Sequence, residues 1–173
     1  LDDYALFMAG KDAHGGACWL EWEDDLRDPD EEIKAAWRER LSDSIGYYKY
    51  IQFIFFRQGN AIRDYAHVNG IQIVGDIPIF VALDSADVWA NRELFQLEKD
   101  GYPTVVAGVP PDYFSATGQL WGNPLYDWDY HKKTHYDWWM RRIKGQLNMV
   151  DYIRVDHFRG FEQYYAIPYG EET

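Results

Sequence analysis

The stretch IQIVGDIPIFVA, residues 71–82, decides the fold. Its first half carries Ile71, Ile73 and Val74, a β-branched run that predicts a buried strand. A Gly-Asp pair ending at Asp76 follows, and these residue types predict the C-terminal end of the strand. In α/β folds, ligands bind at this edge of the sheet. The stretch therefore predicts a parallel sheet with a candidate binding edge at Asp76.

The residues before this strand predict helices. Apolar side chains recur at helical spacing over residues 42–69, which indicates one long helix that an Asn-Gly pair ends. Shorter helices are expected over residues 4–13 and 30–42, the second beginning at Asp28-Pro29. Helix, tight turn and buried strand follow one another as they do in a parallel sheet.

The same pattern returns on the C-terminal side, in MVDYIRVDHFRGF at residues 149–161. A helix is expected over residues 134–148. The strand after it is predicted from the apolar residues Val150, Tyr152, Ile153 and Val155. Two strands do not close a barrel, and a (β/α)8 barrel takes about 250 residues. We therefore expect an α/β fold in which residues 1–173 are the interior part of one catalytic (β/α)8 barrel, with the chain cut at both ends.

The end of the second strand carries the strongest candidate site. Arg154 and Asp156 point to the same face of a strand, and a neighbouring guanidinium favours the charged form of a carboxylate. An ionised Asp156 could act as a glycosidase nucleophile and form a covalent glycosyl-enzyme. The spacing alone also allows a structural Arg–Asp pair with His157 as a cap.

Residues 76–135 have no long periodic segment and predict an irregular inserted subdomain. Within them, the stretch 108–126 combines a stiff proline entry, glycines and aromatic residues. It predicts a lid loop or an aromatic platform over a groove; an ordinary surface loop is the alternative. Earlier in the segment, Asp76, Asp84 and Asp87 could bind sugar hydroxyls, although Asp87 is also typical of the first turn of a helix.

Composition limits the classes of partner. The 29 acidic and 17 basic residues give a net charge of −12, which argues against binding nucleic acid or an anionic membrane surface. Aromatic residues make up 18% of the chain, which provides a core and rings that could stack on sugars. We find no phosphate loop, dinucleotide fingerprint or zinc motif, and expect no cofactor and no metal. The lone Cys18 fits a reducing compartment such as the cytoplasm. The first residue, Leu1, is not Met and suggests a start inside a longer protein.

Long runs of the sequence resemble the amylomaltases, the 4-α-glucanotransferases or disproportionating enzymes of the α-amylase clan. The runs are YALFMA (4–9), FFRQ (55–58), GDIPIFVALDSADVWAN (75–91), ELFQL (93–97), the segment 103–128 and IRVDHFRGF (153–161). The resemblance implies a (β/α)8 barrel that cuts an α-1,4 bond with retention and passes the glucan to the 4-hydroxyl of another glucan or of glucose. The partners it implies are α-1,4-glucans such as maltooligosaccharides, starch or glycogen chains.

The resemblance also implies roles for single residues. Asp156 matches the nucleophile of the family, and Arg154 matches the partner of that nucleophile. The residues that match substrate-binding positions are Asp76, Asp112, Tyr113, Phe114, Trp121 and His157.

Two catalytic carboxylates of the family have no counterpart in this chain. The acid/base Glu and the stabilising Asp lie further along the family's sequence, and Glu171 and Glu172 do not match the former. We expect the 173 residues alone to be inactive, because a retaining mechanism needs both a nucleophile and an acid/base. A non-catalytic glucan-binding barrel and a plain α-glucan hydrolase are the alternatives.

Overall fold

The computed structural model describes residues 1–172 and has a mixed α/β architecture. The helices are α1 (Asp2–Ala13), α2 (Asp24–Arg27), α3 (Glu31–Arg40), α4 (Ser42–Val68), α5 (Ala86–Ala90), α6 (Trp128–Lys133) and α7 (Asp137–Leu147). The strands are β1 (Val74–Pro78), β2 (Val105–Val109), β3 (Gln119–Pro124), β4 (Tyr152–Asp156) and β5 (Tyr165–Pro168). Short 3-10 turns cover Trp19–Glu21, Arg92–Leu94 and Phe158–Phe161.

The five strands form two small sheets. β1 and β4 pair in parallel, with Val74 opposite Tyr152 and Pro78 opposite Asp156. β2 is the central strand of an antiparallel sheet with the order β3-β2-β5. The parallel pair confirms the predicted sheet type, and its two carboxyl ends lie side by side because parallel strands run in the same direction.

The long helix is confirmed almost residue for residue, since α4 covers Ser42–Val68 and residues 42–69 were expected. The helix before it begins later than predicted. Asp30, and not the Asp28-Pro29 pair, is the N-cap of α3, and its carboxylate accepts a hydrogen bond from the Ile33 amide at 2.8 Å. Asp30 is the cap because its carboxylate reaches the amide of Ile33, the third residue of α3, which has no partner within the helix.

The prediction for the first strand was wrong in position. Ile71 and Val74 are exposed, and β1 continues to Pro78 instead of ending at the Gly-Asp pair. Gly75 lies inside the strand, and the side chain of Val150 packs against it. A Cβ at this position would come within 2.9 Å of both Val150 methyl groups, which is why a glycine fits here. The glycine therefore marks a close approach between segments and not a turn.

The second strand is also shorter and more exposed than expected. β4 covers Tyr152–Asp156, and Tyr152 is exposed, whereas Ile153 and Val155 pack against the core. Alternation between two faces gives this pattern, because only one face of the parallel pair meets the core. Val150, predicted in the strand, lies before it and covers Gly75.

The core joins α1, the first 3-10 turn, α5 and α7 through aromatic side chains. Tyr126 lies at the centre of one cluster and contacts the rings of Phe80, Phe95, Trp128, His131, Trp138 and Trp139. Many of the aromatic residues thus serve the core. Within residues 76–135, which include the end of β1, the helices and strands are at most six residues long.

Candidate active site

Arg154 joins two carboxylates at the carboxyl end of the parallel pair. Its Nη1 donates to Asp76 Oδ2 and its Nη2 donates to Asp156 Oδ1, both at 2.6 Å. The three side chains are each more than half exposed, and the Asp156 side chain is 58% exposed. A forked guanidinium holds two carboxylates at fixed positions better than a point charge does. The free oxygen of Asp156 stays accessible to a ligand.

Strand register explains why these side chains meet. Asp76 lies directly opposite Arg154 across the ladder, and Asp156 lies two residues further along on the same face. Alternation predicted that Arg154 and Asp156 share a face, and the ion pair confirms it. The contact of Arg154 with Asp76 depends on the pairing of two strands that are 78 residues apart in sequence.

A cavity of about 510 Å³ opens beside Asp156. Its wall includes His157, Trp121, Asn123 and the backbone that follows β1. The backbone of His157 is left-handed, with φ of +56°, and its ring meets the Trp121 ring edge-on, with 5.1 Å between centroids. A left-handed non-glycine residue is uncommon and often found at functional sites. The structure thus brings the consecutive residues Asp156 and His157 together with Trp121, which is 35 positions earlier in the chain than Asp156.

A second hollow, of about 360 Å³, continues from the other side of His157. Gly108 and Pro110 from the end of β2 line it, together with Arg159 and Tyr165. His157 therefore lines both concave surfaces.

Of the four residues predicted to bind substrate from the lid, Trp121 lines the cavity, and Asp112, Tyr113 and Phe114 do not. The Asp112 carboxylate accepts hydrogen bonds from the Phe114 and Ser115 amides, each at 2.8 Å, and so shapes the turn. Tyr113 is 96% exposed and Phe114 is 89% exposed. Their rings meet edge to face, with 5.7 Å between the ring centroids. Neither ring lines the cavity at Asp156. The two rings form a small exposed apolar patch at the tip of the loop.

The two other acids near β1, Asp84 and Asp87, both make contacts within the fold. Asp84 pairs with Lys11. Asp87 lies in the first turn of α5, whose N-cap is Ser85, in agreement with the helix-start interpretation. The Asp87 carboxylate accepts a hydrogen bond from Trp138 Nε1 at 3.3 Å, and the residue also lines the cavity.

Sequence reasoning missed three residues that fix the backbone around the cavity. Arg142 donates to the carbonyls of Pro78 and Ile79, and the Tyr126 hydroxyl donates to the carbonyl of Ile79 at 2.6 Å. Asn123 Nδ2 donates to the Val81 carbonyl at 2.9 Å. The one available signal was a charged residue on the apolar stripe of α7, next to two tryptophans.

Within residues 1–172, no group of three or more His, Cys, Asp or Glu side chains is arranged to hold a metal ion. No helix in the described part of the chain has the length and apolar character needed to cross a membrane.

Enzymes that act on glycosidic bonds with retention use an ionised carboxylate as nucleophile, and the exposed Asp156 carboxylate beside the cavity has the form that this role requires. The family model described as 4-alpha-glucanotransferase matches residues 1–173. The chain belongs to this family.

Relatives and a solved structure agree with that assignment. The chain is 52% identical over 174 residues to the 4-alpha-glucanotransferase of Synechocystis, covering 100% of this chain and 34% of the relative. It is 49% identical over 173 residues to the Aquifex aeolicus 4-alpha-glucanotransferase, covering 100% and 36%. The amylomaltase from Streptococcus agalactiae in complex with acarbose superimposes with a TM-score of 0.95 at 46% identity, covering 99% of this chain and 35% of that one. The chain thus spans about a third of the length of the relatives it matches.

Proposed function

We propose that the protein containing this chain is a 4-α-glucanotransferase. It transfers a segment of an α-1,4-glucan to the 4-hydroxyl of a second glucan or of glucose. One observation carries the proposal: the Asp156 carboxylate is ion-paired to Arg154 at the carboxyl end of β4 and remains open to a cavity lined by Trp121. Membership of the family supports the choice of substrate class.

In this proposal Asp156 is the nucleophile. One carboxylate oxygen attacks the anomeric carbon of the donor, and the glycosidic bond to the leaving glucan breaks, which leaves a covalent glycosyl-enzyme. The 4-hydroxyl of an acceptor then displaces Asp156 with net retention. Arg154 holds the second oxygen of the carboxylate and so orients the first. The acid/base needed to protonate the leaving oxygen comes from chain beyond these 173 residues.

The substrate contacts are assigned to side chains along the groove. The Trp121 ring offers a face for stacking on a glucose unit, and His157 offers a hydrogen-bonding group next to the nucleophile. Asp76 and Asp112 add carboxylates able to accept sugar hydroxyls, and Tyr113 and Phe114 cover the bound chain. We further propose that β1 and β4 belong to a (β/α)8 barrel with residues 76–135 as its insertion. We propose the cytoplasm as its location, since the free thiol of Cys18 suits a reducing compartment.

The test is the product pattern from maltotriose with the full-length protein that contains this chain. A transferase yields both longer and shorter maltooligosaccharides together with glucose. Glucose and maltose without elongation would identify a hydrolase, and an unchanged substrate that still binds would identify a glucan-binding barrel.

The nucleophile is tested by Asp156→Asn, which keeps the shape but not the charge of the side chain. Turnover should fall by about four orders of magnitude or more, because no covalent intermediate can form. Asp100→Asn, on an exposed turn away from the cavity, is the matched control and should leave turnover unchanged.

A further inference from the structure

Arg142 makes an unusual contact from α7 to the end of β1. Its Nη2 donates to the Pro78 carbonyl at 2.7 Å and its Nη1 donates to the Ile79 carbonyl at 3.1 Å. The planar fork of a guanidinium can reach two successive carbonyls at once, which a lysine ammonium cannot do in the same geometry. The contact therefore fixes the direction in which the backbone leaves the strand.

The guanidinium is itself held in place on its other side. It lies against the Trp138 and Trp139 rings, 5.3 and 4.8 Å from their centroids. Burial lowers the pKa of Arg142, but an arginine stays charged in a protein. The Tyr126 hydroxyl donates to the same Ile79 carbonyl at 2.6 Å, from the buried centre of the aromatic cluster. Two donors from separate elements thus converge on one carbonyl.

The carbonyls that Arg142 holds are adjacent to the nucleophile in the sheet. Pro78 is the register partner of Asp156. Proline has no amide hydrogen, so the last residue of β1 donates nothing to the ladder. Its position must come from other contacts, and Arg142 supplies the charged one. Pro78, Ile79, Arg142 and Asp156 all line the same cavity of about 510 Å³.

We propose that Arg142 is a positioning residue for the reaction at Asp156. By gripping the Pro78 and Ile79 carbonyls it fixes the end of β1, and through the β1–β4 pairing it fixes the Asp156 carboxylate relative to the bound sugar. This inference rests on the proposed function and extends it to a residue on α7 that does not touch Asp156. A tether that only stabilised the fold would leave the chemistry of each folded molecule unchanged.

The test compares rates per active site in the full-length protein. The probe is a fluorinated α-glucosyl fluoride that reacts slowly: an Asp156 oxygen bonds to the anomeric carbon, the bond to fluorine breaks and fluoride leaves. Mass spectrometry of the trapped enzyme gives the number of sites from the final extent and the rate constant from the time course. The variants are Arg142→Met, Arg142→Lys and Tyr126→Phe. Arg141→Met is the matched control, because the neighbouring Arg141 is exposed and forms an ion pair with Asp137 on its own helix.

We expect the trapping rate constant to fall about 100-fold in Arg142→Met and about tenfold in Arg142→Lys, since misplacing a reacting group by about 1 Å costs about 100-fold in rate. Tyr126→Phe removes one of the two donors to the Ile79 carbonyl, and its trapping rate constant should fall about threefold. The number of sites and the KM for maltotriose should stay close to those of the wild type, and Arg141→Met should match it throughout.

Wild-type rate constants in the Arg142→Lys and Tyr126→Phe proteins would overturn the positioning role. These two milder variants decide the matter if Arg142→Met does not fold. If the wild-type protein itself traps no glycosyl group and does not disproportionate maltotriose, the proposed function fails, which is a separate result.

Discussion

At the scale of single residues, the candidate site depends on one guanidinium shared between two carboxylates. Arg154 is itself exposed, so its pairs with Asp76 and Asp156 contribute little to the stability of the fold. Their value is geometric, because each carboxylate keeps one oxygen bound and one oxygen free. A lysine at this position would carry the same charge but could not hold both carboxylates in one plane.

His131 is a second residue with an unusual environment, and it leads to a prediction about pH. Its ring is completely buried among Tyr126, Trp128 and Trp138, and neither ring nitrogen makes a well-formed hydrogen bond. Burial lowers the pKa of His131, outweighing the opposite effect of the Leu94 carbonyl and Asp127. The unfolded chain therefore takes up a proton near the ordinary pKa of 6.5 while the folded chain stays neutral.

The neutral His131 therefore lowers the free energy of unfolding as the pH falls below about 6.5. Above that pH this destabilising effect is smallest. His131→Phe keeps a ring in the aromatic cluster and removes the titration. We expect the variant to be at least as stable as the wild type at about pH 7.5, with a stability advantage that grows towards about pH 5.5. Urea unfolding at the two pH values measures the difference. A gap that stays constant or shrinks on acidification would contradict the prediction.

At the scale of elements, the loop between β2 and β3 leaves two rings in solvent. Tyr113 and Phe114 are almost fully exposed, and Asp112 ties the turn that presents them. Apolar rings in this position gain stability only when something covers them, and a bound glucan would do so. In the proposed mechanism the glycosyl-enzyme must also be protected from water until an acceptor arrives.

We therefore expect Tyr113→Ala combined with Phe114→Ala to raise the ratio of hydrolysis to transfer. The loss of both rings admits water and removes a stacking surface for the acceptor, so the ratio should rise about tenfold. Free glucose and longer maltooligosaccharides from maltotriose, quantified together, give the ratio. The pair Tyr113→Phe and Phe114→Tyr retains both rings and should behave as the wild type. The melting temperature should not change, because the side chains are exposed in the folded state.

The elements also mark where sequence reasoning succeeds and fails. Periodicity over 27 residues located α4 to within one residue, because a long amphipathic pattern repeats the same signal many times. The five-residue β1 was displaced, because its central Gly75 and Asp76 look like a turn when only the local sequence is read. In the structure Gly75 makes room for the Val150 side chain, and Asp76 binds the Arg154 guanidinium. Both partners are more than 70 positions away in the sequence.

Contacts between residues distant in sequence also decide which parts of the candidate site could be predicted. Strand alternation predicted the Arg154–Asp156 pair, since both residues lie on one strand. The contribution of Arg142 could not be predicted, because its partners are backbone carbonyls that any residue type would offer. Asp76 was singled out by its type and by the family resemblance, while its contact with Arg154 required the strand pairing.

At the scale of the whole molecule, opposing forces act on the surface of the 173-residue chain. One side of α4 exposes the large apolar side chains of Tyr47, Tyr50, Phe55, Ile62, Tyr65 and Val68, and Phe53 and Phe56 are exposed further round the helix. An apolar face of this kind favours association. The net charge of −12 opposes it, because like-charged molecules repel over about a Debye length.

These two forces respond differently to salt, which gives a prediction for the chain expressed as these 173 residues. Raising the salt concentration from about 0.1 M to about 1 M shortens the Debye length from about 10 Å to about 3 Å and leaves the apolar attraction in place. The chain should therefore self-associate more strongly at high salt, as measured by sedimentation velocity. Ile62→Lys with Tyr65→Lys should suppress the association. Thr117→Lys with Gln146→Lys adds the same charge at exposed polar positions outside α4, and this control should still associate. Equal suppression by both pairs would mean that net charge, and not the apolar face, governs the assembly.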